Sequence, residues 1–103
     1  MKKRFYYLRD KNNAPVITVC LLVVDGFREI ARGVSICSKD DQPNKKIGRK
    51  IALARARKAM GIKSNTSVIR KIPFIDGLSD ITIGLNFKSV YMPILTKFER
   101  RLV

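Results

Sequence analysis

Residues 45–60 read KKIGRKIALARARKAM and predict the long helix around which the rest of the chain is arranged. Alanine is the strongest helix former, and it recurs throughout the stretch. With about 100° of rotation per residue, the small residues share one face: Gly48, Ala52, Ala56 and Ala59. Lys46, Lys50 and Arg57 form a stripe roughly opposite. We therefore predict that the small face packs closely on a sheet and that the stripe of cations points outward.

Local signals predict where this helix begins and ends. Ser38 and Asp41 have the spacing of a capping box, in which side chains satisfy the first backbone N–H groups. Pro43 suits a first helical turn because its fixed φ matches the helix. Gly61 is typical of a C-terminal cap.

The helix lies in an acid-free window, because no Asp or Glu occurs from Gln42 to Ile75. Ten of the chain's 22 basic residues fall in that window, and the whole chain carries a net charge of +14. A solvated helix face normally mixes acidic and basic residues. Unmixed positive charge at a sequence pI near 10.4 is typical of a nucleic-acid-binding domain.

Upstream of the helix, the residue pattern predicts three strands joined as a meander. Aromatic residues favour a strand at Arg4–Arg9, and Lys11–Pro15 has the composition of a turn. Val16–Val24 is rich in β-branched residues and predicts a second strand. Asp25–Gly26 matches a two-residue hairpin turn, and Phe27–Cys37 is then the return strand.

The predicted turn implies a register between the second and third strands. Val24 opposite Phe27 places Leu21 opposite Ile30, and Ile17 opposite Val34. The other face of the third strand is shallow where it carries three small residues in succession: Ala31, Gly33 and Ser35. A face this shallow is expected to receive the helix.

Cys20 and Cys37 fall on that second face in this register, about 20 Å apart along the strands. That separation excludes a disulfide, which needs a Cα spacing of about 5.5 Å. Two thiols without a disulfide indicate a reducing compartment, so we expect a cytoplasmic location. The apolar stretch Phe5–Leu8 is too short to be the h-region of a signal peptide. Val16–Val24 is far shorter than the ~20 residues of a spanning helix, so no membrane role is expected.

The segment beyond the helix gives weaker signals. We predict a loop at Ser64–Ser67, a short strand at Val68–Ile72 and a turn at Pro73–Asp80. Alternating apolar residues predict a strand at Ile81–Phe87, and Pro93 opens a final helix. Residues 1–103 are thus expected to form a single α+β domain. It has a small antiparallel sheet with an N-terminal three-stranded meander, packed by one basic, Ala-rich helix and followed by a C-terminal strand and a short helix.

Most catalytic chemistry is excluded by composition. The chain has no His, which removes Ser-His, Cys-His and His-metal arrangements. Its clustered carboxylates are Asp40–Asp41, interpreted as helix capping, and Asp76 with Asp80, interpreted as turn formation. No Gly-rich phosphate loop is present. We therefore expect a protein that is not an enzyme and that uses no cofactor or metal.

A duplex carries repeated phosphates, so a protein that binds its backbone needs several cations on one surface. The predicted nucleic-acid-binding residues are Lys45, Lys46, Arg49, Lys50, Arg57, Lys58, Lys63, Arg70, Lys71, Arg28 and Arg32. Duplex is preferred over single strands because cations outnumber aromatics that could stack on bases. Tyr6 and Tyr7 are interpreted as packing residues. The choice between DNA and RNA stays open, as does the oligomeric state.

Two other functions fit the same charge. The basic face could dock on an acidic protein partner, as an interaction or inhibitor module. The chain could also be a structural component of a ribonucleoprotein or a virion.

The order of elements resembles two families over about the first 60 residues. A third strand bearing Gly33, a helix beginning Lys45–Lys46 and the alanines that follow are similar to the latter part of the double-stranded-RNA-binding domain. That resemblance implies that the paired lysines contact phosphates across the major groove. Three strands and a helix are also similar to the arm-binding domain of phage-type integrases, which implies a sheet laid against DNA. Neither resemblance covers Ile62–Val103, and neither family is assigned.

Overall fold

The computed structural model describes residues 1–24, 26, 29–37, 42–69 and 87–103, and these form five strands and two helices. The strands are β1 (Lys2–Arg9), β2 (Pro15–Val23), β3 (Ile30–Ile36), β4 (Thr66–Val68) and β5 (Phe87–Tyr91). The helices are α1 (Lys45–Ile62) and α2 (Lys97–Leu102). All paired strands are antiparallel, in the order β1-β2-β3-β5-β4. This confirms the predicted α+β class, with its N-terminal meander, one main helix and a short C-terminal helix.

The predicted hairpin register is wrong by two residues. Ile17 lies opposite Ile36 and Leu21 opposite Arg32, and the Val24 N–H donates to the Glu29 carbonyl. Four residues therefore separate the paired ends, instead of two. A shift of two keeps every side chain on its predicted face, so the apolar pattern alone could not distinguish the two registers. Gly26 has a φ of 76°, in the left-handed region that favours glycine.

The shallow face of β3 receives α1 as predicted. Gly48, Ala52, Ala56 and Ala59 are the buried residues of the helix. At Gly33 the helix backbone approaches so closely that a Cβ would lie 1.9 Å from the Ala52 carbonyl oxygen. No side chain other than hydrogen fits between α1 and β3 at this point.

We expect Gly33→Ala to lower the free energy of unfolding by about 2–3 kcal/mol, because the new methyl group meets backbone and α1 must shift. Urea denaturation measures the change. Gly61→Ala is the matched control, since a Cβ at Gly61 meets nothing within 4 Å. That variant should gain up to about 1 kcal/mol from helix propensity. An equal effect of the two substitutions would contradict the close approach at Gly33.

The helix termini differ from the predicted ones. Asn44 is the N-cap of α1, and its side chain accepts a hydrogen bond from the Ile47 N–H at 3.2 Å. The predicted capping pair, Ser38 and Asp41, lies outside the described residues. Lys63, with a φ of 52°, caps the C-terminus two residues beyond the predicted Gly61. α1 is therefore longer than predicted at its C-terminal end.

The opposite face of the sheet carries the larger apolar cluster. Ile17, Val19, Leu21 and Val34 are fully buried there, and residues of the C-terminal segment pack against them, including Leu95 and Leu102. α2 begins at Lys97 behind a capping box formed by Thr96 and Glu99. The final helix therefore starts later than Pro93, because a residue pair satisfies its first N–H groups at this position.

The segment after α1 was predicted only in part. Thr66 and Ser67 belong to β4, where a loop was expected. β5 is Phe87–Tyr91, and it shares only Phe87 with the strand predicted at Ile81–Phe87. The predicted turn at Pro73–Asp80 lies outside the described residues, as do residues 70–72 and 81–86 of the predicted strands.

No disulfide joins the two cysteines, as the predicted separation implied. Cys20 is buried beneath α1, and burial raises the pKa of its thiol to about 12. Cys37 follows the end of β3 and is partly buried against the larger apolar cluster. Neither described helix is long and apolar enough to span a membrane.

Candidate nucleic-acid interface

α1 presents a row of cations on the side that faces away from the sheet. Lys46, Lys50 and Arg57 are exposed, as is Lys58 at the flank. A rise of 1.5 Å per residue makes the row from Lys46 to Arg57 about 16 Å long. We call Lys46, Lys50 and Arg57 the outward stripe. The stripe is exposed because the small residues on the other side of α1 are buried against β2 and β3.

A second group of cations lies where α1 meets β1. The Lys45 Nζ lies 4.8 Å from the centre of the Tyr7 ring, and the Arg49 Nη1 donates a 2.8 Å hydrogen bond to the Tyr7 hydroxyl. We call Tyr7, Lys45 and Arg49 the Tyr7 cluster.

β1 contributes a further exposed cation, Lys3. The positive charges of Lys3 and Arg57 both act against the burial that raises the pKa of the Cys20 thiol. Lys3 on β1 and Arg57 on α1 therefore lie near the same buried sulfur. Lys3 thus lies on the side of the sheet that α1 covers, since its strand partner Leu22 belongs to the cluster beneath α1.

The described carboxylates are all engaged elsewhere. Asp10 accepts from the backbone N–H groups of Asn12 and Ala14 in the turn after β1. Glu29 pairs with Lys63, and Glu99 is buried on the far side of the sheet. Within the described ranges, no carboxylate pairs with a cation of the outward stripe or of the Tyr7 cluster.

Lys63, predicted as part of the interface, is partly neutralised by the protein itself. Its Nζ lies 2.7 Å from the Glu29 Oε2 and 5.6 Å from the centre of the Tyr91 ring. The hydrogen bond from Lys63 lowers the pKa of Glu29, and the same bond raises the pKa of Lys63. We therefore leave Lys63 out of the proposed surface.

Arg32 was predicted to be a surface contact, and that placement is wrong. It is 3% exposed, and its guanidinium forms an ion pair with the Glu99 carboxylate. The Arg32 Nε donates to the Glu99 Oε2 at 2.9 Å, and its Nη2 donates to the Ile94 carbonyl at 3.1 Å. Strand alternation already placed Arg32 on the apolar face with Ile30, so a buried partner could have been expected.

Three predicted contacts are not among the described residues, and one residue of the site was not predicted. Arg28, Arg70 and Lys71 lie outside the described residues. Tyr7 was missed, because aromatic side chains on a first strand were interpreted as packing. The sequence did contain a signal for this role. Tyr6 and Tyr7 are consecutive residues of one strand, so one ring must face α1 and the other must face the apolar cluster.

The described segments contain no cluster of three His, Cys, Asp or Glu side chains that could bind a metal ion. Comparisons with protein-family models, with curated proteins and with solved structures gave no match.

Proposed function

We propose that this protein binds double-stranded nucleic acid by contacting its phosphate backbone with α1 and the adjoining part of β1. The observation that carries the proposal is that the described carboxylates leave six cations of α1 without an acidic partner: Lys45, Lys46, Arg49, Lys50, Arg57 and Lys58. Binding of this kind follows phosphate spacing and needs no pocket.

The residues of α1 suit phosphate contacts better than a general reading of base sequence, because its Lys and Arg can contact phosphate or guanine but it has no side chain that reads adenine. Asn and Gln are the side chains that read adenine, and α1 contains neither. Asn44, at the start of the helix, uses its side-chain oxygen to cap the Ile47 N–H. We therefore propose binding with little dependence on sequence, by a protein that is not an enzyme and acts in the cytoplasm.

The direct test is a fluorescence-anisotropy titration with duplex DNA, duplex RNA and single strands, each at 50 and 200 mM salt. If four of the six cations contact phosphate, the affinity for duplex should fall about 10²-fold between the two salt concentrations. Single strands should bind more weakly than duplexes. An affinity that does not change with salt would contradict the proposal, and the two duplexes compared directly decide between DNA and RNA.

One observation favours the alternative of an acidic protein partner. Ile47 is 56% exposed and Ile51 is 37% exposed, side by side on one flank of α1. Apolar residues beside cations are more typical of a protein interface than of a phosphate contact. A partner that remains bound to the immobilised protein after nuclease treatment, and that is released by Ile47→Ser, would favour this alternative.

A further inference from the structure

We infer that the Tyr7 cluster is a phosphate anchor, which takes one backbone phosphodiester of the bound nucleic acid between Tyr7, Lys45 and Arg49. The inference rests on the proposed function and adds a defined contact point to it. The residues come from two elements, β1 and the start of α1, so folding is needed to bring them together.

The hydrogen-bonding capacity of the cluster suits an anion. A phenol has one O–H donor and can accept through its oxygen, and Arg49 already uses the acceptor side of Tyr7. The Tyr7 proton is therefore directed away from Arg49, and no acceptor for it lies among the described residues. The ammonium of Lys45 and the other N–H groups of Arg49 add donors for which the described residues supply no acceptor. Phosphate, with several acceptor oxygens, matches such a group of donors.

Electrostatics point the same way. Two cations held at one aromatic ring repel each other, and an anion between them removes that repulsion. A comparable arrangement of a cation and a tyrosine around Tyr91 is neutralised by a carboxylate of the protein itself. There Lys63 lies over the Tyr91 ring, and Glu29 accepts hydrogen bonds from both side chains. The Tyr7 cluster has one more cation and, in the described part of the chain, no carboxylate.

The position of the cluster adds a constraint on how the ligand lies. Arg49 is rotated about 100° around the helix axis from Lys50. A straight polyanion along the outward stripe would miss the cluster, whereas one that passes from α1 onto β1 contacts both. The anchor is therefore expected to set the direction in which the nucleic acid crosses the helix.

Tyr7→Phe tests the anchor, because it keeps the ring beneath Lys45 and removes only the hydroxyl. We expect the affinity for duplex to fall about tenfold, since a hydrogen bond to a charged phosphate is lost. Arg49→Ala should weaken binding and reduce the slope of log affinity against log salt by about 0.9. Tyr91→Phe is the matched control and should bind like the wild type. Thermal unfolding of each variant verifies that it is folded.

The outcomes separate the anchor from the proposed function. Unchanged duplex affinity in Tyr7→Phe, with normal binding by the wild type, overturns the anchor alone. If the wild type binds no nucleic acid, the proposed function fails, and an NMR titration with inorganic phosphate then tests the cluster by itself. Saturable shifts of the Tyr7 ring signals that are lost in Arg49→Ala support it, and their absence overturns it. Duplexes with and without terminal phosphates should bind equally, because the anchor takes a backbone phosphate.

Discussion

Reversing the outward stripe, in a variant that carries Lys46→Glu, Lys50→Glu and Arg57→Glu, is expected to weaken duplex binding at least about 10³-fold. An exposed pair of charges at 4 Å interacts by about 1 kcal/mol in water. Each reversal both removes an attraction of this size and adds a repulsion. Because all three side chains are exposed, we expect the free energy of unfolding to change little. Anisotropy titration at fixed salt measures the loss.

A second triple variant controls for net charge. Lys97, Arg100 and Arg101 are exposed on α2, which packs on the sheet face opposite to α1. Their replacement by Glu lowers the net charge of +14 by the same amount. This variant should retain most of the affinity. If both variants lose affinity equally, binding would reflect overall charge, and the surface on α1 would have no special role.

Glu99→Ala is expected to lower the free energy of unfolding by about 3–5 kcal/mol, because it leaves the Arg32 guanidinium buried without its counter-charge. Glu99 is 0% exposed. Its carboxylate also accepts hydrogen bonds from the Tyr6 hydroxyl at 2.8 Å and from the Thr96 N–H at 3.0 Å. Burial, followed by the negative charge of Glu99, raises the pKa of the Tyr6 hydroxyl, so Tyr6 stays a hydrogen-bond donor. Urea denaturation measures the loss of stability.

The exposed ion pair of the same protein provides the control. Glu29→Ala breaks the Lys63–Glu29 pair, whose Lys63 side chain is 61% exposed, and such exposed pairs contribute little to stability. Replacing Arg32 by Met together with Glu99 by Leu should recover part of the loss seen in Glu99→Ala, because neither buried charge then remains. A Glu99→Ala variant that is no less stable than Glu29→Ala would contradict the role of the buried pair.

Sequence predicted the fold well where a local residue pattern can be packed in only one way. The spacing of Gly48, Ala52 and Ala56 leaves a face that only a close neighbour can cover, and the small side chain at Gly33 identifies that neighbour. The hairpin register was not determined in this way. Alternation specifies which face a residue occupies, and a shift by two residues preserves it.

The candidate site was predicted less completely, because charge alone does not report burial. Arg32 and Arg57 are the same residue type, yet one pairs with Glu99 inside the fold and the other is exposed. The partner of Arg32 lies 67 residues away in the chain, so no local pattern could reveal the pair. Tyr7 was missed for a related reason, since its role depends on two cations that only the packing of α1 brings to it.

The close seating of α1 has a consequence for the energetics of recognition. Its backbone touches β3 at Gly33, and Arg55 donates to the Val34 carbonyl at 2.6 Å, so the helix is held in place before any ligand arrives. A binding surface that is already ordered loses little conformational entropy on association. Recognition would then be the docking of a surface that is already ordered, and electrostatic attraction between the partners would mainly set the association rate.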